Sequence, residues 1–254
     1  MNEAKGVIVM RNGLLITALL LLMTTSCQKS PLTDSTKSTS TSANSSVKEA
    51  VPFRVVESAY AVSNSFGDVF VKWAAVVENP NSELYGVFPA ISVTARDDPG
   101  AVIGTQDSVL FELPPGLKMA VTGQLSSTAV PATIEIKPAK IEWKPTRTRA
   151  DDYKTFGVEK VRMTASGKEY FQVTGDVTNP YDKDLESISV VVLLRDAEGK
   201  LVGGDTAYVN GLAAKGSRPF EVKFIRVKGK PASQEISVYP HGLTSWNSLA
   251  APKQ

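Results

Sequence analysis

Apolar and polar residues alternate from Phe171 to Thr178. Phe171, Val173, Gly175 and Val177 fall on one side, and Gln172, Thr174, Asp176 and Thr178 on the other. A period of two is the mark of a half-buried strand. One hundred residues earlier, Val71, Trp73, Ala75 and Val77 repeat the pattern. Both runs stop at an Asn-Pro pair, Asn79-Pro80 and Asn179-Pro180. Proline has no N–H to give a ladder and closes each strand.

Past the two loops the repeat resumes at a spacing of 99. Ile91, Val93 and Ala95 correspond to Val190, Val192 and Leu194, and the turn after Arg96-Asp97 corresponds to the one after Arg195-Asp196. Leu113 matches Leu212, and Val121, Gly123 and Leu125 match Phe220, Val222 and Phe224 as a further alternating strand. A last strand, Ile134–Ile136 or Ile236–Val238, precedes Pro138 or Pro240. The change of spacing is one residue gained in the first Asn-Pro loop, where an insertion flips no strand. Several short strands at regular intervals predict an all-β chain of two tandem β-sandwiches of about 100 residues each. The expected divisions are a first sandwich over 51–143, a polar linker over 144–155, a second sandwich over 156–240 and a tail over 241–254.

One strand breaks the alternation. Ile188, Val190, Val192 and Leu194 supply one face, yet Val191 and Leu193 make the other face apolar too, where the first copy has Ser92 and Thr94. Such a face needs cover. The first sandwich, the tail with Trp246 and Leu249, or a partner could supply it, so Val191 and Leu193 are a candidate contact surface.

The chain begins with a different pattern. Arg11 precedes an apolar run, Leu14–Met23, interrupted only by Thr17. The run is well short of the roughly 20 residues that span a bilayer, which predicts a signal peptide over 1–26. Thr24-Thr25-Ser26-Cys27 follows, and it resembles the lipobox of bacterial lipoproteins, with Thr24 where that motif prefers leucine. The resemblance implies a diacylglyceryl thioether on Cys27, membrane lipid as a partner and a place in the cell envelope outside the cytoplasm. In an organism with two membranes, Gln28 rather than Asp implies the outer one. Residues 27–50, rich in Ser and Thr, have little to bury and predict a disordered tether.

Composition narrows the chemistry. Of 254 residues, 42% are hydrophobic, and the net charge of +2 gives no reason to expect nucleic acid. The single cysteine and single histidine exclude an internal disulfide and Cys/His zinc cages. His241 is expected in a surface loop or tail after the last strand. Asp97-Asp98 and Asp151-Asp152 read as turn and linker acids, since no calcium-loop spacing surrounds them. Lys137, Lys140, Lys144, Arg147 and Arg149 read as a solvated basic cluster. No phosphate loop, dinucleotide fingerprint or nucleophile elbow is present, so neither a cofactor nor catalytic residues are expected.

The second half also resembles a family. Gly175/Val177/Asn179, then Asp196/Gly199, then Gly216/Phe220 follow the pattern of the FxLYD-type domain of bacterial envelope lipoproteins. The strand that names that domain reads Val192-Leu193-Leu194-Arg195-Asp196 here, without its aromatic and its Tyr. Asn79-Pro80-Asn81 in the first half also resembles the water-stress domain of late-embryogenesis-abundant proteins. The resemblance implies immunoglobulin-like sandwiches with no established catalytic residues. The resulting expectation is a non-catalytic, membrane-anchored binding or structural module that touches envelope protein or cell-wall polymer. A solute-binding lipoprotein and an envelope hydrolase using carboxylates are the alternatives.

Overall fold

The computed structural model describes residues 49–250 apart from Phe66 and Leu243. The signal segment, Cys27 and nearly all of the tether lie outside the described residues. The first copy runs through β1 (Arg54–Ser65), β2 (Asp68–Glu78), β3 (Leu84–Val87), β4 (Ala90–Arg96), β5 (Val102–Val109), β6 (Glu112–Leu113), β7 (Lys118–Ser127), β8 (Thr133–Pro138) and β9 (Glu142–Pro145). The second runs through β10 (Gly157–Ala165), β11 (Tyr170–Thr178), β12 (Leu185–Arg195), β13 (Leu201–Leu212), β14 (Ser217–Arg226) and β15 (Ser233–His241), and a short helix, α1 (Trp246–Ala250), follows. The chain is all-β and sandwich-like, as the alternation predicts. Sheets β1-β2-β7 and β5-β4-β8 form one sandwich, and β10-β11-β14 and β13-β12-β15 the other. The matched strands take matched places, and each sheet is antiparallel.

The doubled Asn-Pro now has a physical reason. Asn79 and Asn179 are buried, yet neither lacks a partner. The Asn79 side-chain amide donates to the carbonyls of Leu84, Leu113 and Pro114, and that of Asn179 to Lys183, Leu212 and Ala213. Each side-chain oxygen accepts the backbone N–H two residues on, from Asn81 or Tyr181. One asparagine thus ties the end of its strand to two other loops where no ladder can reach. The same contacts locate the inserted residue. Partners up to residue 81 are displaced by 100 and those from residue 84 by 99, which puts the insertion between Asn81 and Leu84.

The copies differ where local backbone departs from the ladder. β12 is one unbroken strand, whereas its counterpart is split into β3 and β4 at Phe88-Pro89, with Phe88 at φ 48°. β3 then forms a small sheet of its own with β6 and β9. A second difference lies in β14. Val71 faces Leu125 in the first copy, but Phe171 faces Ile225 in the second, so the register gains a residue between Val222 and Ile225. This β-bulge overturns the expected match of Phe224 with Leu125. Ile225 takes the buried place, and Phe224 points outward, 65% exposed, at φ 56°.

The two sandwiches are stacked face to face. Ala74 and Val76 lie on the side of β2 opposite Trp73 and Ala75, and they are buried all the same. Val191 and Leu193 are likewise buried, 4% and 0% exposed. The cover comes from within the chain: β13 and β12 lie on β1, β2 and β7. A Cβ added at Gly204 would meet the Ala74 Cβ at 3.2 Å. Polar ties rim this apolar layer. Arg195 donates twice to Glu57, at 2.6 and 2.9 Å, and again to Glu235. Lys72 pairs with Asp205 at 2.8 Å, and the Thr122 and Thr206 hydroxyls meet at 2.7 Å. Strands apolar on both faces, Trp73–Val77 and Val190–Leu194, are the inner layers of this stack.

The segments between and after the sandwiches are parts of it rather than free connectors. The expected linker begins inside β9, whose Lys144 and Pro145 pair with Tyr85 and Leu84. Beyond it, Thr148, Tyr153 and Phe156 are buried. The expected tail boundary is also passed, because β15 continues through Pro240 to His241 and Pro240 needs no donor on that edge strand. Trp246 of α1 is buried against Tyr153 and Tyr239, with ring centroids 5.0 and 5.5 Å away. Its indole N–H donates to the Tyr181 hydroxyl at 2.8 Å. Asn247 accepts from Tyr153 and Thr146 and gives its backbone N–H to Glu112.

Candidate functional site

Stacking two sandwiches leaves a cleft of about 360 Å³ where their edges diverge. One wall is the first copy, through β5, β6, β7 and the Phe88 kink. The other is the second copy, through β12, β13, the end of β15 and the chain just before α1. Met119, Val121, Val191 and Trp246 line it with apolar surface. Its aromatic residues are not all buried. Phe88 is 57% exposed, Phe111 44% and Tyr208 59%, and Val109 beside them is 58% exposed. Large apolar side chains left in water at the mouth of one cleft mark a contact site better than the same number scattered.

The kinks and breaks that distinguish the first copy build this mouth. Phe88 is exposed because its positive φ ends β3 and turns the chain into Pro89. Phe111 lies in the matching break between β5 and β6, and its carbonyl accepts the Phe88 N–H at 3.1 Å. The second copy contributes Tyr208 from β13 and His241 from the end of β15. The His241 ring meets Phe111 edge-on at 4.9 Å and Tyr208 at 4.4 Å. His241 is therefore half-buried between two aromatic rings, not in the loop or tail expected of it. Burial holds its pKa below the usual 6.5 and keeps the ring neutral near pH 7.

Deeper in the cleft Tyr239 is buried, and its hydroxyl accepts the Ala120 N–H at 2.8 Å. Burial pushes this phenol up to about 12, so it stays protonated. Among the described residues, Glu112 is the one carboxylate in the lining, and no lysine or arginine lines it. One Glu112 oxygen already accepts the backbone N–H of Asn247 at 2.9 Å. The hydroxyls of Ser108, Tyr208 and Thr244 line the cleft without a hydrogen-bond partner among the described residues. The arrangement can hold a molecule by apolar contact, ring stacking and neutral hydrogen bonds.

The other candidate residues are accounted for elsewhere. Asp97 and Asp196 accept backbone N–H groups of their own turns, from Ala101 and from Glu198 and Lys200. Asp152 accepts the Arg149 N–H, and the Arg149 side chain reaches Glu83 and the Ser82 carbonyl. In the basic cluster, Lys137 pairs with Glu135 and Lys144 with Glu142. No group of acidic, histidine or cysteine side chains among the described residues is arranged to hold a metal ion. Cys27 lies outside the described residues. Val191 and Leu193 are covered by the first sandwich, with Val191 also forming part of the cleft wall. Sequence reasoning missed the cleft itself. The rings at its mouth come from Phe88, Phe111, Tyr208 and His241, which no period or motif connects.

No family model matches the sequence, and no curated protein matches it. Among solved structures, red sea bream transglutaminase aligns with 69% of this chain at 13% identity and a TM-score of 0.21. The chain spans 28% of that protein's length, and so slight a likeness carries no argument about fold or activity.

Proposed function

We propose that the chain is a non-catalytic binding module of the bacterial cell envelope, anchored by lipid on Cys27, and that the cleft between its sandwiches is where it binds. The observation that carries this reading is the exposed set Phe88, Val109, Phe111 and Tyr208 around a single concavity. The lining supports binding rather than turnover. Glu112 is the one carboxylate among the described lining residues and already accepts a backbone N–H, so the lining offers no carboxylate pair for general acid–base work. The stacked sandwiches and the α1 contacts keep both walls in place, which spares the module the cost of ordering itself on binding. Anchoring rests on the Thr24–Cys27 motif after its apolar run, and family membership on the FxLYD-like spacing of the second copy.

Two experiments test the proposal. Cys27→Ser in the native host should move the protein from the membrane to the soluble fraction, and unchanged membrane association would remove the anchor. A photoreactive phenylalanine at Tyr208 should capture a specific envelope component in intact cells. The same probe placed at exposed Val130 is the control, and identical products from both positions would remove the cleft as the binding site.

A further inference from the structure

The lining of the cleft also selects a kind of ligand. We propose that it takes an uncharged sugar ring of an envelope glycan, seated between Phe111, His241 and Tyr208. This deepens the binding-module reading and rests on the cleft being the site. Three features of the lining carry it together.

The first is charge. Among the described residues no cation lines the cleft, and its single carboxylate is Glu112. An anionic ligand, such as a fatty acid, a phosphate or a uronate, would bury its charge unpaired beside that carboxylate, at high cost. A neutral ligand meets no such cost. The second is the aromatic mouth. Phe88, Phe111 and Tyr208 expose ring surface to solvent, and His241 is packed between the last two. A pyranose presents flat patches of C–H groups that cover such rings, and burying them is favourable. The third is the hydroxyl set. Ser108, Tyr208 and Thr244 have both donor and acceptor capacity unused among the described residues. A purely apolar occupant would leave these hydroxyls unsatisfied as water was expelled. Sugar hydroxyls, which donate and accept in the same way, replace that water.

Isothermal titration calorimetry on the full chain in phospholipid nanodiscs, with empty nanodiscs as blank, tests this. The probes are chitotetraose, oligogalacturonate of similar length, and an uncharged apolar peptide, the acetylated Leu-Phe amide. Chitotetraose should bind, and Tyr208→Ala or Phe111→Ala should each weaken it by about tenfold or more. Phe224→Ala, on an exposed ring outside the cleft, should leave it unchanged, and oligogalacturonate should not bind. Peptide binding that needs Tyr208 and Phe111, without sugar binding, would overturn the sugar assignment and leave the cleft as the binding site. Equal binding of the neutral and the acidic sugar would overturn the charge argument and the proposal with it. Sugar binding indifferent to both ring deletions, or binding of none of the three probes, would overturn the sugar assignment and the cleft together.

Discussion

The side-chain amide of Asn179 repeats that of Asn79 carbonyl for carbonyl, one sandwich later. Both are buried, and both bridge the end of the second strand of their copy to the loop before β7 or β14. Alanine at either position would leave several buried backbone carbonyls without a donor and a cavity beside them. Each unmet group costs about 1–3 kcal/mol, so Asn79→Ala and Asn179→Ala should each lose about 2–4 kcal/mol in urea unfolding. Asn→Asp should be no better, because a carboxylate cannot donate to those carbonyls. A loss under about 0.5 kcal/mol would mean that water satisfies the loops and that the asparagines do not hold them.

The ion pair between Glu57 and Arg195 crosses from one sandwich to the other and should give stability a pH dependence. The Arg195 guanidinium donates to the Glu57 carboxylate and holds its pKa below the usual 4.5, against a smaller opposing effect of burial. The unfolded chain then takes up this proton first. The contribution is fully present above about pH 4.5 and is lost as pH falls through the lowered folded value. Urea midpoints measured from pH 7 to pH 3 should fall more steeply for the wild type than for Glu57→Gln, which has no proton to gain. Parallel curves would show that the pair adds nothing across the joint, as for many exposed pairs.

Much of this joint could be read in the sequence, and the part that could not has a physical cause. Val191 and Leu193 declare a second apolar face, and the structure puts the first sandwich on it. The mating surface was equally visible as the unbroken run Trp73–Val77, whose outward members Ala74 and Val76 are buried, but only its inward members fit the alternation. The Asn-Pro repeat, its inserted residue and the turn aspartates were legible because each depends on a few neighbouring residues. The bulge at Phe224 was not, since Phe220, Val222 and Phe224 continue a perfect period of two and no glycine betrays the extra residue. The five residues of α1 are too few for a helical period to appear. The mouth of the cleft is assembled from Phe88, Phe111, Tyr208 and His241, and only the tertiary fold brings these rings together.

Trp246 should matter for the whole stack rather than for a loose end. It is buried against Tyr153 and Tyr239 and bonds to Tyr181, so its ring joins the connector, the last strand and the second Asn-Pro loop. Trp246→Ala should destabilise by about 3 kcal/mol, in the range of large core truncations. The loss should appear as a lower midpoint of one cooperative transition. A mutant that unfolds at the wild-type midpoint would make the helix an ornament.

Phe224 sets strain against use. As the added residue of a bulge it sits at φ 56°, a left-handed conformation that costs a residue with a Cβ about 1–2 kcal/mol. Its ring, 65% exposed, recovers little of that by burial. Glycine adopts this backbone freely, though it loses more entropy on folding. Phe224→Gly should therefore stabilise the chain by roughly 0.5–1 kcal/mol, while Phe224→Ala, which keeps the Cβ, should gain nothing. The two together separate backbone strain from side-chain packing, because both remove the ring and only one removes the conformational cost. If glycine and alanine destabilise alike, the ring itself holds the bulge, through contact with the Tyr170 and Arg226 groove beside it. If glycine alone stabilises, an exposed phenylalanine is being maintained against the preference of its own backbone.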